Sequence, residues 1–304
     1  MSADNDHSHG HAAASRKRLI GALAVTATVL VVELVGAYAT GSLALAADAG
    51  HMAVDSSGLV VALIAASLMM RPRDDRHTWG YARAETVAAG LQAGMLLIIC
   101  AVVTFEGIER LLNPADLKAG PMLAIGIVGL VANVVSLMIL SGGRGDSLNM
   151  RAAFLEVAND ALGSAAVIVA AVIAMTTGFM RADAIASLFI AALMAPRAWK
   201  LLRRSLAILM EQTPEDLDLD EVRASILAVP GAIDVHDLHA TTIATGVVDL
   251  SAHVTVTDDV NGHVDGNLVH ALEDAVECHF PETRAHTTFQ LDIAKHRDHE
   301  KLTH

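Results

Sequence analysis

Charge and aromatic side chains are both scarce in this chain. Only 18% of its 304 residues are charged, and it holds two Trp, two Tyr and six Phe. A soluble domain carries about 25% charged residues, so one water-solvated domain does not account for the whole. Cysteine is nearly absent: Cys100 and Cys278 stand alone, without a CxxC, which excludes a disulfide framework. Basic residues are outnumbered, 21 Lys and Arg against 34 Asp and Glu, for a net charge of −13. That balance argues against a nucleic-acid partner and suits cations instead. There is no HExxH and no serine with a matched base, so a metalloenzyme or hydrolase has no motif to stand on. Nothing points to an organic cofactor.

Apolar residues are what the chain has in quantity. They make up 53% of it, with a mean hydropathy of +0.47. They fall in long uncharged runs to about residue 210, and an acidic segment follows. A helix needs about 20 apolar residues to cross a bilayer. Six stretches qualify, at about 17–39, 44–70, 82–110, 120–141, 151–177 and 182–207. Breakers separate them: Thr40-Gly41, Arg71-Pro72, Asn113-Pro114, Gly142-Gly143 and Thr177-Gly178. Arg16-Lys17-Arg18 before the first run resembles a signal-peptide start, but no small-residue cleavage site follows, so it reads as a retained helix.

Lys and Arg flanking the spans set the orientation. Arg16, Lys17 and Arg18 precede the first; Arg71, Arg73, Arg76 and Arg83 join the second to the third; Arg144 and Arg151 join the fourth to the fifth; Arg197, Lys200, Arg203 and Arg204 close the sixth. The opposite connections hold only Arg110, Lys118 and Arg181. Both termini are predicted to be cytoplasmic, and a plasma (inner) membrane location is expected.

From about Gln212 the periodicity changes. Leu217, Leu219, Val222, Ile226 and Val229 recur at helical spacing until Pro230-Gly231. A strand is expected near Ile233–Ile243, and Val248, Leu250, Ala252, Val254 and Val256 then alternate as in a half-buried strand. A helical stretch from about His263 to His279 and a final strand from His286 to Ile293 complete an α-β-β-α-β order. The expected domains are a His-containing tail (1–15), a six-helix membrane domain (16–211), a cytoplasmic α+β domain (212–293) and a second His-containing tail (294–304).

Two pairs inside the apolar runs carry the chemistry: His51 with Asp55, and Glu156 with Asp160. Each has i,i+4 spacing, which puts both side chains on one helix face. An ionisable group at bilayer depth costs about 2.5–3.5 kcal/mol on insertion scales, so such groups are rare and usually functional. One imidazole and three carboxylates make a four-ligand site for a divalent cation, with Zn²⁺ the first candidate. Asp48, on the same face as His51, is a fifth ligand or a group that orients the others. Glu33 and Asn133 are expected to line the ion path or to bond between helices, while Glu106 and Glu109 reach the outer interface. Ligands must lose protons to bind metal, so metal and protons compete for the site, which is the chemistry of a proton-coupled antiporter.

A known family then becomes visible. Gly41-Ser-Leu-Ala-Leu-Ala-Ala-Asp48-Ala-Gly-His51-Met-Ala-Val-Asp55 resembles the second helix of the cation diffusion facilitators, especially their zinc/cadmium/cobalt efflux branch. Trp79-Gly80-Tyr81-Ala-Arg83-Ala-Glu85, Ala161-Leu-Gly-Ser164 and the Gln290-containing last strand are similar too, so the likeness covers about residues 16–293. It implies six transmembrane helices, a cytoplasmic ferredoxin-like domain for metal sensing and dimerisation, a homodimer in a lipid bilayer, and export of Zn²⁺ against H⁺. Zinc-transporting members usually carry His where this chain has Glu156, so Mn²⁺, Fe²⁺, Co²⁺ and Cd²⁺ stay open as substrates. The resemblance also marks Asp74 and His77 as loop ligands, with Tyr81 where a further His stands in some relatives. It marks His236, His253, His286 and Asp292 as regulatory zinc ligands. His7, His9, His11, His296, His299 and His304 are read as disordered tails with weak metal affinity. A membrane metal sensor that moves no ion is the rival reading.

Overall fold

The computed structural model describes residues 27–141, 148–244, 246–257, 266–280 and 284–293. Both histidine-bearing tails and residues 17–26 of the first expected span lie outside these. The membrane helices are α1 (Ala27–Thr40), α2 (Leu43–Met69), α3 (Ala84–Leu112), α4 (Ala119–Ser141), α5 (Leu148–Thr177) and α6 (Arg181–Leu209). Five of them carry an apolar stretch long enough to cross a bilayer. Both ends of α2 to α6, and the C-terminal end of α1, fall within three residues of the expected ones. The chain divides into two compact units. One holds α1, α4, α5, α2 to Val61, and α3 and α6 between Leu91 and Leu202; the other holds Ala62–Gly90 and everything from Arg203 onward.

In the first unit the packing is inverted relative to a soluble bundle. The buried positions of α4 are Ala119, Met122, Gly126, Gly129, Asn133, Ser136 and Leu140, a seam stepping by three and four that is rich in small and polar residues. Ile127, Val128, Val131 and Met138 face outward, as suits lipid. Without a hydrophobic drive between helices in lipid, close packing of small residues and hydrogen bonds hold the bundle. Asn133 Nδ2 on α4 donates to Ser164 Oγ on α5 at 3.2 Å. Ala44, Leu45, Ala47, Val167, Ala170 and Ala171 are among the buried residues of the apolar core of this unit.

The start of α2 is fixed by a group no periodicity reveals. Gly41 takes φ +73°, a left-handed turn that glycine adopts without strain, and separates α1 from α2. Asp183, in the first turn of α6 and 3% exposed, then satisfies the next helix's free N–H groups. It accepts from Leu43 N at 2.8 Å, Ala44 N at 3.2 Å and Ser42 Oγ at 2.5 Å. Ser42 Oγ in turn accepts from Leu45 N at 3.1 Å. Arg110 Nη1 of α3 stands 3.7 Å from Asp183 and donates to Gly41 O at 2.6 Å. Three helices are thereby tied at one end of the unit.

In the second unit, Asp218 caps α7 (Leu219–Leu227) by accepting from Asp220 N and Glu221 N. Strands β1 (Ala232–Ala244) and β2 (Val247–Val256) pair antiparallel, and α8 (Gly266–Glu277) returns the chain so that β3 (Arg284–Ile293) pairs parallel with β2. The sheet order is β1-β2-β3, and the expected α-β-β-α-β succession holds. Val248, Leu250, Val254 and Val256 point from β2 into a core closed by Val222, Ile226, Leu272 and Val276. Odd-numbered β2 residues and even-numbered β3 residues are left on the opposite face.

Candidate metal centre

The pair on α2 shares one helix face, as its spacing predicts, and helix packing brings that face to α5. His51 is buried, and its Nε2 lies 3.4 Å from both Asp55 Oδ2, one turn along α2, and Asp160 Oδ1 of α5. His51 Nδ1 has no hydrogen-bond partner among the described residues. Glu156 belongs to α5 one turn before Asp160, and its side chain lies outside the described residues. Asp48, His51, Asp160, Gly163 and Arg197 line a cavity of about 30 Å³, which exceeds the roughly 10–15 Å³ a water needs. One imidazole nitrogen and two carboxylates converge inside the helix bundle, and that donor set suits a divalent cation.

Asp48 and Glu33 are both nearly inaccessible, at 2% and 1%. Glycine makes room for each: a Cβ at Gly163 would stand 2.8 Å from Asp48 Oδ1, and one at Gly129 2.8 Å from Glu33 Oε1. Glu106 is tied to Arg110 at 2.6 Å, which accounts for it structurally. Sequence reasoning missed three neighbours of the site. Gln92 of α3 donates to Asp55 Oδ1 at 3.3 Å, Arg197 of α6 reaches the cavity wall, and Asp183 anchors the helix that carries His51. Gln92 had a readable signal, since it is an amide in an apolar run; Asp183 had none beyond its charge.

In the loop after α2, Asp74 and His77 do meet, with His77 Nδ1 3.0 Å from Asp74 Oδ1. The contact is part of a local turn in which Arg76 N and His77 N also donate to Asp74 Oδ1, at 2.9 and 2.7 Å. The backbone N–H of His77, and then its ring, hold the Asp74 carboxyl below its usual range. Tyr81 stacks on the His77 ring at 4.5 Å, so aromatic contact stands where the third ligand was sought.

The sheet gathers three of the four expected regulatory ligands. Ligand atoms of His236, His253 and Asp292 all lie within 4.8 Å of one another. His236 and His253 are register partners, and Asp292 lies next along β3, with both oxygens accepting from Gln290 Nε2 at 3.2 Å. His286 does not join them. It shares their face, but its register partner is Asp249 whereas that of Asp292 is Thr255, a separation of about 20 Å at 3.3 Å per residue. It meets the Trp79 ring edge-on at 5.1 Å instead. A bulge in β1 between His236 and His239 brings in an acid that spacing did not predict. Asp237 there has φ 46°, and its Oδ2 lies 3.9 Å from His253 Nδ1.

Comparison with known proteins shows the family of the chain. The family model described as the cation efflux transmembrane domain matches residues 19–210. The chain belongs to the cation efflux family. A second model, the cation efflux protein cytoplasmic domain, matches residues 214–294. Among cation efflux proteins, the metal cation efflux system protein CzcD of Cupriavidus metallidurans is 38% identical over 288 residues, covering 95% of this chain and 90% of that protein. The cadmium, cobalt and zinc/H(+)-K(+) antiporter of Bacillus subtilis is 36% identical over 292 residues, covering 95% and 93%. The zinc transporter ZitB of Escherichia coli is 36% identical over 294 residues, covering 94% and 92%. This cation efflux protein is therefore a multi-pass membrane transporter and not an enzyme.

Proposed function

We propose that this protein exports a divalent cation, Zn²⁺ first, in exchange for protons. The observation that carries the reading is His51 Nε2 held 3.4 Å from Asp55 and Asp160, on two different membrane helices, beside a small buried cavity. Glu156, a turn before Asp160 on α5, supplies the fourth ligand. Four mixed nitrogen and oxygen donors match tetrahedral zinc, and the carboxylate excess admits Cd²⁺, Co²⁺, Mn²⁺ or Fe²⁺ as further substrates. The names of the relatives as zinc, cadmium and cobalt carriers support the same substrate class. Because the ligands bind metal only when deprotonated, arriving protons eject the ion, and helix rearrangement around the site supplies alternating access.

The membrane domain spans 16–211 and the cytoplasmic domain 212–293, in a homodimer in the plasma (inner) membrane with both termini cytoplasmic. His236, His253 and Asp292 hold a regulatory Zn²⁺: their donors are close together, and Gln290 fixes the carboxylate. The test is uptake of Zn²⁺, Mn²⁺, Co²⁺ and Cd²⁺ into proteoliposomes carrying a pH gradient. Gradient-dependent Zn²⁺ flux that vanishes in Asp160→Ala is the expected result, and Glu156→His then reports the role of that position in selectivity. A folded protein that moves none of the ions overturns transport and leaves the metal sensor.

A further inference from the structure

Gln92 is a neutral amide in the uncharged stretch of α3 between Glu85 and Glu106, and is only partly buried. Its Nε2 donates to Asp55 Oδ1 at 3.3 Å, while the other oxygen of the same carboxylate, Oδ2, faces His51 Nε2 at 3.4 Å. The two oxygens of Asp55 thus have different partners. α2 is cut away to admit the amide: a Cβ at Gly58, three residues beyond Asp55, would stand 2.2 Å from Gln92 Cδ and 2.6 Å from its Nε2. Glycine at that helix position leaves room for Gln92 to reach the carboxylate from α3.

We infer that Gln92 is a positioning residue that sets ion selectivity, by engaging one oxygen of Asp55 so that the carboxylate offers the ion a single oxygen. The inference rests on His51, Asp55, Glu156 and Asp160 being the transport site. A four-coordinate ion such as Zn²⁺ needs one oxygen from each carboxylate. Larger ions that accept higher coordination numbers, such as Cd²⁺ and Mn²⁺, gain when a carboxylate is free to bind through both. Groups that hold a ligand in this way change metal affinity or activity about 10–100-fold when removed. Gln92→Met keeps the length and bulk of the side chain but loses the donor, and Gly58→Ala keeps the donor but displaces it.

The experiment measures KM and kcat for Zn²⁺ and Cd²⁺ in proteoliposomes for the wild type, Gln92→Met, Gly58→Ala, the double variant and Asp55→Asn. The expected result is a Zn²⁺ KM raised about 10–100-fold in Gln92→Met, with the Cd²⁺ KM raised much less. Gly58→Ala moves the Zn²⁺ to Cd²⁺ ratio in the same direction, and the double variant shows no further change, since both act through one hydrogen bond. KM values for the two ions rising together, or Gly58→Ala shifting the ratio equally in the Gln92→Met background, overturn the inference. Asp55→Asn separates the two readings. If it abolishes flux while Gln92→Met leaves the ratio unchanged, only the role of Gln92 falls; if it transports normally, the site itself is wrong and the inference falls with it.

Discussion

Replacing Asp183 with Asn removes one charge and one acceptor from the anchor of α2, with little change in shape. The carboxylate accepts from Leu43 N, Ala44 N and Ser42 Oγ at 2.8, 3.2 and 2.5 Å, with Arg110 3.7 Å away. An amide turns one of those oxygens into an NH₂, so in either orientation a donor faces a donor. Hydrogen bonds to charged groups contribute about 1.5–3 kcal/mol each, and a negative charge at a helix N-terminus up to about 2 kcal/mol more. Loss of one such bond with weakening of the rest gives about 3 kcal/mol. At about 2–4 °C per kcal/mol for a domain of this size, Tm falls by about 6–12 °C. His51 lies about 12 Å along α2 from Leu43 at 1.5 Å per residue, so the loosened end reaches the ligand turn and metal flux drops as well. The assay is thermal unfolding in detergent alongside proteoliposome flux. A Tm for Asp183→Asn within about 2 °C of the wild type would refute the reasoning.

Gly163→Ala places a Cβ 2.8 Å from Asp48 Oδ1; the crowding, about 1–3 kcal/mol, is partly offset by the roughly 1 kcal/mol that Ala gains over Gly in a helix. Stability is expected to change little while Zn²⁺ flux collapses, and unchanged flux would show that Asp48 does not need its position. Asp292→Ala weakens Zn²⁺ binding to the cytoplasmic domain of the intact protein about 10–100-fold, whereas His286→Ala leaves it unaltered; calorimetric titration distinguishes the two, and an equal loss in both contradicts the strand register. The Asp74 carboxyl, held down by the N–H groups of His77 and Arg76, titrates below the ordinary carboxylate value of about 3.9. Its turn is therefore fully stabilised above that value and loosens only as pH falls through the lowered one. A ¹³C-detected midpoint at or above the ordinary value rules this out.

The spans from α2 to α6, the order of the soluble elements and the shared face of His51 and Asp55 were legible in the chain, because each is written in local spacing. A run of about 20 apolar residues has one solvent to suit it, and i,i+4 neighbours share a helix face whatever surrounds them. The alternation of Val248 to Val256 likewise fixed which side of β2 is buried. His286 was misplaced because the resemblance gave its type and not its register: on the proper face, it lies six residues before Asp292 on β3.

What tertiary structure alone decided are the contacts between elements distant in sequence. That Asp160 reaches His51, that Gln92 takes one oxygen of Asp55 and that Asp183 caps α2 from α6 all depend on helix packing. The bulge that brings Asp237 beside His253 depends on pairing between strands. Sequence determined which groups would be forced out of water. Packing determined which of them meet, because a buried polar atom must find its partner wherever the fold supplies one.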